Sequence, residues 1–312
     1  MNNNSHIQTL SKLRNFICHH SDFSNALNAI EECMQMSQMN NQPIGCLLLG
    51  HGGVGKSTIC KLIKNRYKSY KSIENNMEKL IVPAFYFPVP SPITIKSLAV
   101  RMLEELGCTD HRGTSEQLNY RLRILLKECN TQLIMLDEFH HIYSSSAQKN
   151  KTSENVANWI KTLVDETKIC ICLIGLPNIQ ENLFIDSQLA RRFSRVLKLN
   201  PLKLDNHHQE GTLRPFLKQT SIYMSKNFNI SFDPDITSND LLKRIFLATT
   251  GYQAYVMQLI YQSCLCALKN NRSVVALSDF HEAYALKSIL YKPMTQKDIF
   301  KINSTQITEV LI

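Results

Sequence analysis

The segment at residues 50–57 combines glycines, a lysine and a serine at a spacing that suits phosphate binding. It reads Gly-His-Gly-Gly-Val-Gly-Lys-Ser, between a short apolar run at 44–49 and a helical pattern. In such a loop backbone N–H groups turn toward phosphates, Lys56 reaches the β- and γ-phosphates, and the Ser57 hydroxyl binds Mg²⁺. The flanking strand and helix disfavour a chance glycine-rich turn. We therefore predict a P-loop for ATP or GTP with Mg²⁺, and its binding residues are Gly50, His51, Gly52, Gly53, Val54, Gly55, Lys56, Ser57 and Thr58.

Two acidic residues follow a second apolar run and supply the other half of the predicted site. Asp137 and Glu138 come directly after residues 133–136. A carboxylate at the end of a buried strand beside a P-loop can hold Mg²⁺, so we assign Asp137 to the metal together with Ser57. A following carboxylate can polarise the attacking water, so we assign Glu138 to catalysis with Lys56. Without the P-loop, two acids that merely begin a loop would be the better interpretation.

Two basic pairs allow more than one interpretation. Arg191 and Arg192 lie in Gln-Leu-Ala-Arg-Arg-Phe at 188–193. A guanidinium is permanently charged and forks onto two phosphate oxygens, so the pair could act on a neighbour's γ-phosphate, or it could form surface salt bridges. His140 and His141 follow Glu138 and Phe139. Adjacent histidines on a helix start point apart, which disfavours a shared metal and favours a surface or packing role over nucleotide sensing.

Strand and helix patterns alternate through the first two thirds of the chain. Short apolar runs predict strands at 44–49, 80–89, 133–136, 169–174 and 195–199, with helical patterns between them. This alternation predicts an α/β fold with a parallel sheet covered by helices on both faces. After residue 201 the patterns are helical, which predicts a small all-helical lid. The expected organisation is an N-terminal segment at 1–35, a nucleotide-binding domain at 36–200, the lid at 201–290 and a flexible tail at 291–312.

Composition narrows the class of protein and its partners. The 312 residues carry a formal net charge of +9, with 44% hydrophobic and 20% charged residues. This suits a folded protein with a polyanionic partner such as nucleic acid. The ten cysteines include no Cys-x-x-Cys pair, which favours buried thiols in a reducing cytosol over a metal site or disulfides. A polar start and short apolar runs predict a cytoplasmic protein with no membrane partner.

The basic stretch at 61–71 is interpreted as a solvated face, with non-specific DNA contact as the alternative.

Four segments in order resemble the TniB/TnsC family of AAA+ ATPases, which regulate DNA transposition. They are the P-loop, Leu-Asp-Glu-Phe-His-His-Ile at 136–142, Leu-Ile-Gly-Leu-Pro-Asn at 173–178 and Gln-Leu-Ala-Arg-Arg-Phe at 188–193. The resemblance covers roughly residues 15–290. It implies an AAA+ domain with a helical lid and ATP bound between adjacent subunits, where Arg191 or Arg192 acts in trans. Arg192, next to the phenylalanine, is the preferred finger, and Asn178 is a candidate polar sensor.

The same resemblance implies a path for DNA. Residues 88–96 and 113–114 resemble the region in which family members track one strand of duplex DNA from inside a ring or filament. Lys96 and Thr114 are carried over as phosphate contacts, with Arg112 and Arg121 as weaker neighbours. A solvated lysine and a helix-cap threonine are the alternatives. The implied partners are further copies of the chain, double-stranded DNA, a transposase and a TniQ-like target selector, and the choice between an autonomous and a CRISPR-associated transposon stays open.

The lid segment departs from the usual AAA+ pattern, and two other functions are considered. The lid segment Gly-Tyr-Gln-Ala at 251–254 lacks the arginine that many AAA+ proteins place three residues after the glycine, which implies slow hydrolysis. An origin-recognition or secretion-type AAA+ ATPase shares the same core and is the main alternative. A small-molecule P-loop kinase is disfavoured by the arginine pair and the lid.

Overall fold

The computed structural model of the chain describes residues 16–39, 44–74, 76–143, 151–184, 187–205, 210–286 and 298–311. The predicted N-terminal segment before residue 16 and the tail residues 291–297 lie outside this range. The chain divides into two compact units, Asp22–Leu199 and Asn200–Ile312 with Met1–Ser21. No helix in the described ranges is long and apolar enough to cross a membrane.

The first unit is a layered α/β domain. Its strands are β1 (Cys46–Leu49), β2 (Tyr70–Glu74), β3 (Met77–Ile81), β4 (Ala84–Pro88), β5 (Leu133–Asp137), β6 (Cys170–Gly175) and β7 (Arg195–Lys198). Its helices are α1 (Ser21–Met39), α2 (Lys56–Arg66), α3 (Ile95–Glu105), α4 (Ser115–Glu128), α5 (Lys151–Thr167), α6 (Ile179–Phe184) and α7 (Ser187–Arg192), with a 3-10 helix at Phe139–Tyr143.

Five of the strands form one parallel sheet in the order β4-β5-β6-β1-β7. Every residue of β1, β5 and β6 is buried, because helices cover both faces of a parallel sheet. The parallel sheet and its flanking helices confirm the predicted fold class. The carboxyl ends of β1, β5 and β6 meet at one edge, which is where ligands bind in open α/β sheets.

The predicted strand at 80–89 was wrong as a single element. Its first part belongs to β3, which pairs antiparallel with β2 as a separate hairpin, and only β4 joins the main sheet. Pro83 lies at the break, where its fixed φ and missing N–H interrupt a hydrogen-bonded ladder. The Pro83 carbonyl accepts hydrogen bonds from the backbone N–H groups of Gln132 and Leu133, which ties this break to the start of β5.

The second unit is mainly helical. It contains α8 (Leu213–Phe228), β8 (Ser231–Asp233), α9 (Asn239–Thr249), α10 (Gln253–Lys269), β9 (Val274–Ala276), α11 (Leu277–Ala285) and α12 (Ser304–Leu311). The prediction of an all-helical lid missed β8 and β9, which pair in parallel over three residues each. Strands this short leave no periodic pattern in the sequence.

The end of the chain departs from the predicted flexible tail. Residues 304–311 form α12, and Ile299, Phe300 and Ile307 are buried in the core of the second unit. The buried Arg244 guanidinium donates to the Ile299 carbonyl at 2.6 Å and to Asp240 at 2.6 Å, which fixes this segment to α9. Burial of the apolar side chains stabilises the segment, so 298–311 is part of the fold.

Candidate nucleotide-binding site

The P-loop follows β1 and is shaped by contacts that exclude side chains. Gly50 donates its N–H to the Gly175 carbonyl of β6 at 3.1 Å. A Cβ at Gly50 would lie 2.7 Å from the Leu199 carbonyl, too close for any side chain. Gly53 and Gly55 have φ of 83° and 96°, in the left-handed region that favours glycine. The sequence therefore has glycine where the backbone must turn, and α2 begins directly after at Lys56.

The Lys56 side chain lies in the hollow of this loop. Its Nζ donates to the carbonyl oxygens of Gly50 at 2.7 Å and His51 at 2.9 Å. Burial lowers the pKa of Lys56, and the charge of Asp137 opposes that effect. A cation inside a glycine-rich loop is available to bound phosphates, and the role of this lysine stays a prediction.

Asp137 is the centre of a hydrogen-bond network at the end of β5. Its Oδ2 accepts from Ser57 Oγ at 2.9 Å and from the Tyr86 hydroxyl at 2.7 Å, and its Oδ1 accepts from the Glu138 backbone N–H at 2.8 Å. The sequence assigned Ser57 and Asp137 to the same metal ion, and it missed Tyr86. Because Ser57 donates its proton to Asp137, its oxygen lone pairs stay available to a cation. Adjacent hydroxyl and carboxylate oxygens fit Mg²⁺, a hard cation that prefers oxygen ligands.

Glu138 extends from the same strand end toward solvent. It has a φ of 56°, in the left-handed region, and its side chain is 56% exposed. Its Oε2 lies 3.8 Å from His141 Nε2. The carboxylate is therefore beside Asp137 and accessible to water, as a group that polarises water must be.

His140 packs inward at the same edge of the sheet. A Cβ on Gly175 would lie 3.3 Å from His140 Nδ1, which is buried without a hydrogen-bond partner. The His140 and His141 rings lie 4.2 Å apart and are tilted by 35°. Burial is the largest cause that lowers the pKa of His140, and the neighbouring His141 lowers it further. Among the described residues, no group of three or more His, Cys, Asp or Glu side chains could hold a metal.

The two arginines of α7 differ in their surroundings. Arg192 Nε donates to Asp165 Oδ1 at 2.7 Å, and Arg192 Nη2 donates to Asp165 Oδ2. This bidentate pair is the main reason that the pKa of Asp165 is lowered. Arg191 is exposed. Arg192, the preferred finger, is thus paired within its own chain while Arg191 is exposed, and which of the two acts in trans stays a prediction.

Asn178 lies on an open cleft beside the P-loop. The cleft encloses about 720 Å³, and its lining includes His51, Asn178 and Lys198, with Leu176, Pro177, Gln180 and Glu181. The predicted sensor is thus near the loop, and its role stays a prediction. Lys198 ends an edge strand and had no motif to mark it in the sequence.

Three of the four predicted DNA contacts lie at or near the starts of α3 and α4, and Arg121 lies in the second turn of α4. Lys96 is exposed at the start of α3. The Thr114 hydroxyl accepts from the Gln117 N–H at 3.3 Å and caps α4, so the helix-cap alternative applies to it. Arg112 and Arg121 lie 3.6 and 3.5 Å from the two carboxylate oxygens of Asp110. These contacts leave the DNA role as a prediction.

The sheet order, the P-loop after β1 and the acidic pair after β5 define the AAA+ class of P-loop ATPases, and known structures agree. Cdc6p from Pyrobaculum aerophilum is similar with a TM-score of 0.60 and 15% identity, over 86% of this chain and 67% of that one. The ORC1 protein of Aeropyrum pernix, determined in complex with DNA, is similar with a TM-score of 0.57 and 16% identity, over 85% of this chain and 65% of that one. The chain therefore spans about two thirds of the length of these proteins. No curated protein sequence matches it.

The family follows from the sequence itself. The profile of the bacterial TniB protein family matches residues 9–203, which is more than half of the chain. The chain belongs to the TniB family. The match includes the P-loop, the acidic pair and the arginine pair.

Proposed function

We propose that the chain is an ATP-dependent regulator of DNA transposition that assembles on double-stranded DNA. In this proposal ATP binds with Mg²⁺ at the P-loop, and subunits join into a ring or filament that links a TniQ-like target selector to a transposase. The observation that carries the proposal is the TniB match over a P-loop whose Ser57 hydroxyl meets Asp137 at the end of β5. Hydrolysis would then dismantle the assembly, so that the output of the chemistry is the assembly state.

The side chains divide the work of hydrolysis between them. Lys56 would exchange the Gly50 and His51 carbonyls for phosphate oxygens, with backbone N–H groups of the loop beside it. Ser57 and Asp137 would hold Mg²⁺, which neutralises phosphate charge when bound. Glu138 would accept a proton from the attacking water at the exposed end of β5.

The site needs one more positive charge than this arrangement supplies. Arg191 would provide it to the γ-phosphate of an adjacent subunit, because its guanidinium is exposed, permanently charged and able to fork onto phosphate oxygens. A site completed by the next subunit couples hydrolysis to assembly. This is why a homo-oligomer belongs to the proposal.

Electron microscopy with duplex DNA and a slowly hydrolysed ATP analogue tests the proposal. We expect rings or filaments with the wild-type chain, and their loss in Lys56→Ala, which cannot hold the triphosphate. Scrambling the DNA sequence should leave the assemblies unchanged, because phosphate contacts do not read bases. Wild-type monomers under these conditions would contradict the proposal.

An origin-recognition ATPase is the rival function. The likeness to Cdc6p and ORC1 favours it at the level of the fold alone. Binding restricted to one DNA sequence would favour this rival over a transposition regulator.

A further inference from the structure

Tyr86 contacts the predicted magnesium ligand from a strand that carries no recognised motif. It lies on β4, in register with Met135 of β5, and its hydroxyl donates to Asp137 Oδ2 at 2.7 Å. Ser57 Oγ donates to the same oxygen at 2.9 Å. One carboxylate oxygen therefore joins the first turn of α2, the end of β5 and the edge strand β4.

The hydrogen bonds leave Asp137 with little freedom. A carboxylate has about four acceptor positions. Ser57 and Tyr86 occupy those on Oδ2, and the Glu138 N–H occupies one on Oδ1. The remaining position is on Oδ1, so a further group can be accepted from one direction only.

Tyr86 joins this network through its hydroxyl, which donates to Asp137 Oδ2. Its ring is half-buried, and phenylalanine would keep the same ring contacts. The hydroxyl is thus separable from the packing by a single substitution.

We propose that Tyr86 is a positioning residue of the magnesium site, whose hydroxyl fixes the Asp137 carboxylate so that Asp137 and Ser57 present their oxygens to Mg²⁺ together. The inference rests on the proposed nucleotide-binding function. Groups that orient a metal ligand usually change metal affinity by about 10–100-fold when removed. Without the hydroxyl, Oδ2 regains a free acceptor position, and the carboxylate can turn away from the orientation that serves Ser57.

A magnesium titration of nucleotide binding tests this. The full-length wild type, Tyr86→Phe and the matched control Tyr120→Phe, which alters an exposed tyrosine of α4, are titrated with Mg²⁺ in the presence of a fluorescent, slowly hydrolysed ATP analogue. We expect Tyr86→Phe to raise the Mg²⁺ midpoint about tenfold, and Tyr120→Phe to leave it unchanged. Nucleotide affinity in EDTA should be equal in all three, which also shows that the variant is folded.

A second pair of variants separates positioning from general structure. In an Asp137→Ala background the Tyr86→Phe change should have no further effect on the Mg²⁺ midpoint, because the oxygen that accepts the hydroxyl is gone. An unchanged midpoint in Tyr86→Phe, or a shift that persists in Asp137→Ala, would overturn the inference while the proposed function stands. If the wild type binds no nucleotide with Mg²⁺, the proposed function fails and the inference fails with it.

Discussion

Arg192 is held by Asp165 of its own chain, through a bidentate pair in which Nε lies 2.7 Å from Oδ1. The adjacent Arg191 is exposed. A guanidinium with both forks on a carboxylate must give up that pair before it can bind phosphate, whereas an exposed one need not. The pair therefore favours Arg191 as the finger over Arg192, which the family resemblance prefers.

Arg191→Ala should abolish most ATP hydrolysis without weakening ATP binding. Arginine fingers contribute roughly 10³–10⁵-fold to hydrolysis, so we expect a fall of at least 10³-fold in DNA-bound assemblies. Arg192→Ala is the matched control, expected to lower the free energy of unfolding by about 1 kcal/mol through loss of the Asp165 pair. Steady-state phosphate release and nucleotide titrations measure the two effects. The reverse result, with Arg192→Ala inactive and Arg191→Ala active, would restore Arg192 as the finger.

The Asp165 pair should make part of the stability sensitive to acid. The Arg192 hydrogen bond lowers the pKa of Asp165 below its ordinary value of 3.8. A carboxyl with a lowered folded pKa stabilises the fold fully above the ordinary value, and this is lost as pH falls through the lowered one. We expect the Tm of the wild type to exceed that of Asp165→Asn at pH 7 and the gap to close below about pH 3.8. A gap that stayed constant in acid, or that survived in an Arg192→Ala background, would rule out this linkage.

Glu138→Gln should separate binding from hydrolysis. The amide keeps the size of the side chain but cannot accept a proton from water, so turnover should fall roughly 10²–10⁴-fold while ATP affinity stays within about twofold. DNA-bound assemblies should then last longer, as followed by electron microscopy over time. Failure to assemble at all would show that Glu138 serves binding or structure.

Phe300→Ala should destabilise the second unit. Phe300 is 4% exposed and stacks on Phe280 with ring centroids 5.9 Å apart. Removing a buried phenylalanine typically costs about 3–5 kcal/mol. The neighbouring exposed Lys301→Ala is the control and should change the free energy of unfolding by less than about 0.5 kcal/mol. Urea unfolding measures both, and equal stability of the two variants would show that 298–311 packs only loosely.

The main sheet was predictable because a parallel strand that is buried on both faces consists of a continuous run of apolar residues. The runs at 44–49, 133–136, 169–174 and 195–199 correspond to β1, β5, β6 and β7. The hairpin of β2 and β3 was not predicted, because it mixes charged residues with exposed side chains such as Ile73 and Met77 and so lacks a clear alternation. Apolar patterns in a sequence indicate strands that are buried. This hairpin is mostly exposed, so it has no such pattern.

The candidate site also has a part that the sequence predicts and a part that it does not. The P-loop and the acidic pair are each a short continuous segment of the sequence. Ser57 and Asp137 meet because β1 and β5 end at the same edge of the sheet. Tyr86 and Asp165 act on site residues from distant positions. Their roles depend on the register of β4 with β5 and on the approach of α5 to α7, which no local spacing records.

The position of β1 in the sheet has a consequence for synthesis on the ribosome. β1 carries the P-loop, yet its two neighbours, β6 and β7, are encoded at the far end of the same unit. A growing chain therefore exposes the P-loop long before the strands that support it exist, and pairing across that distance closes only late. The sheet around the P-loop can therefore be completed only near the end of synthesis of the first unit.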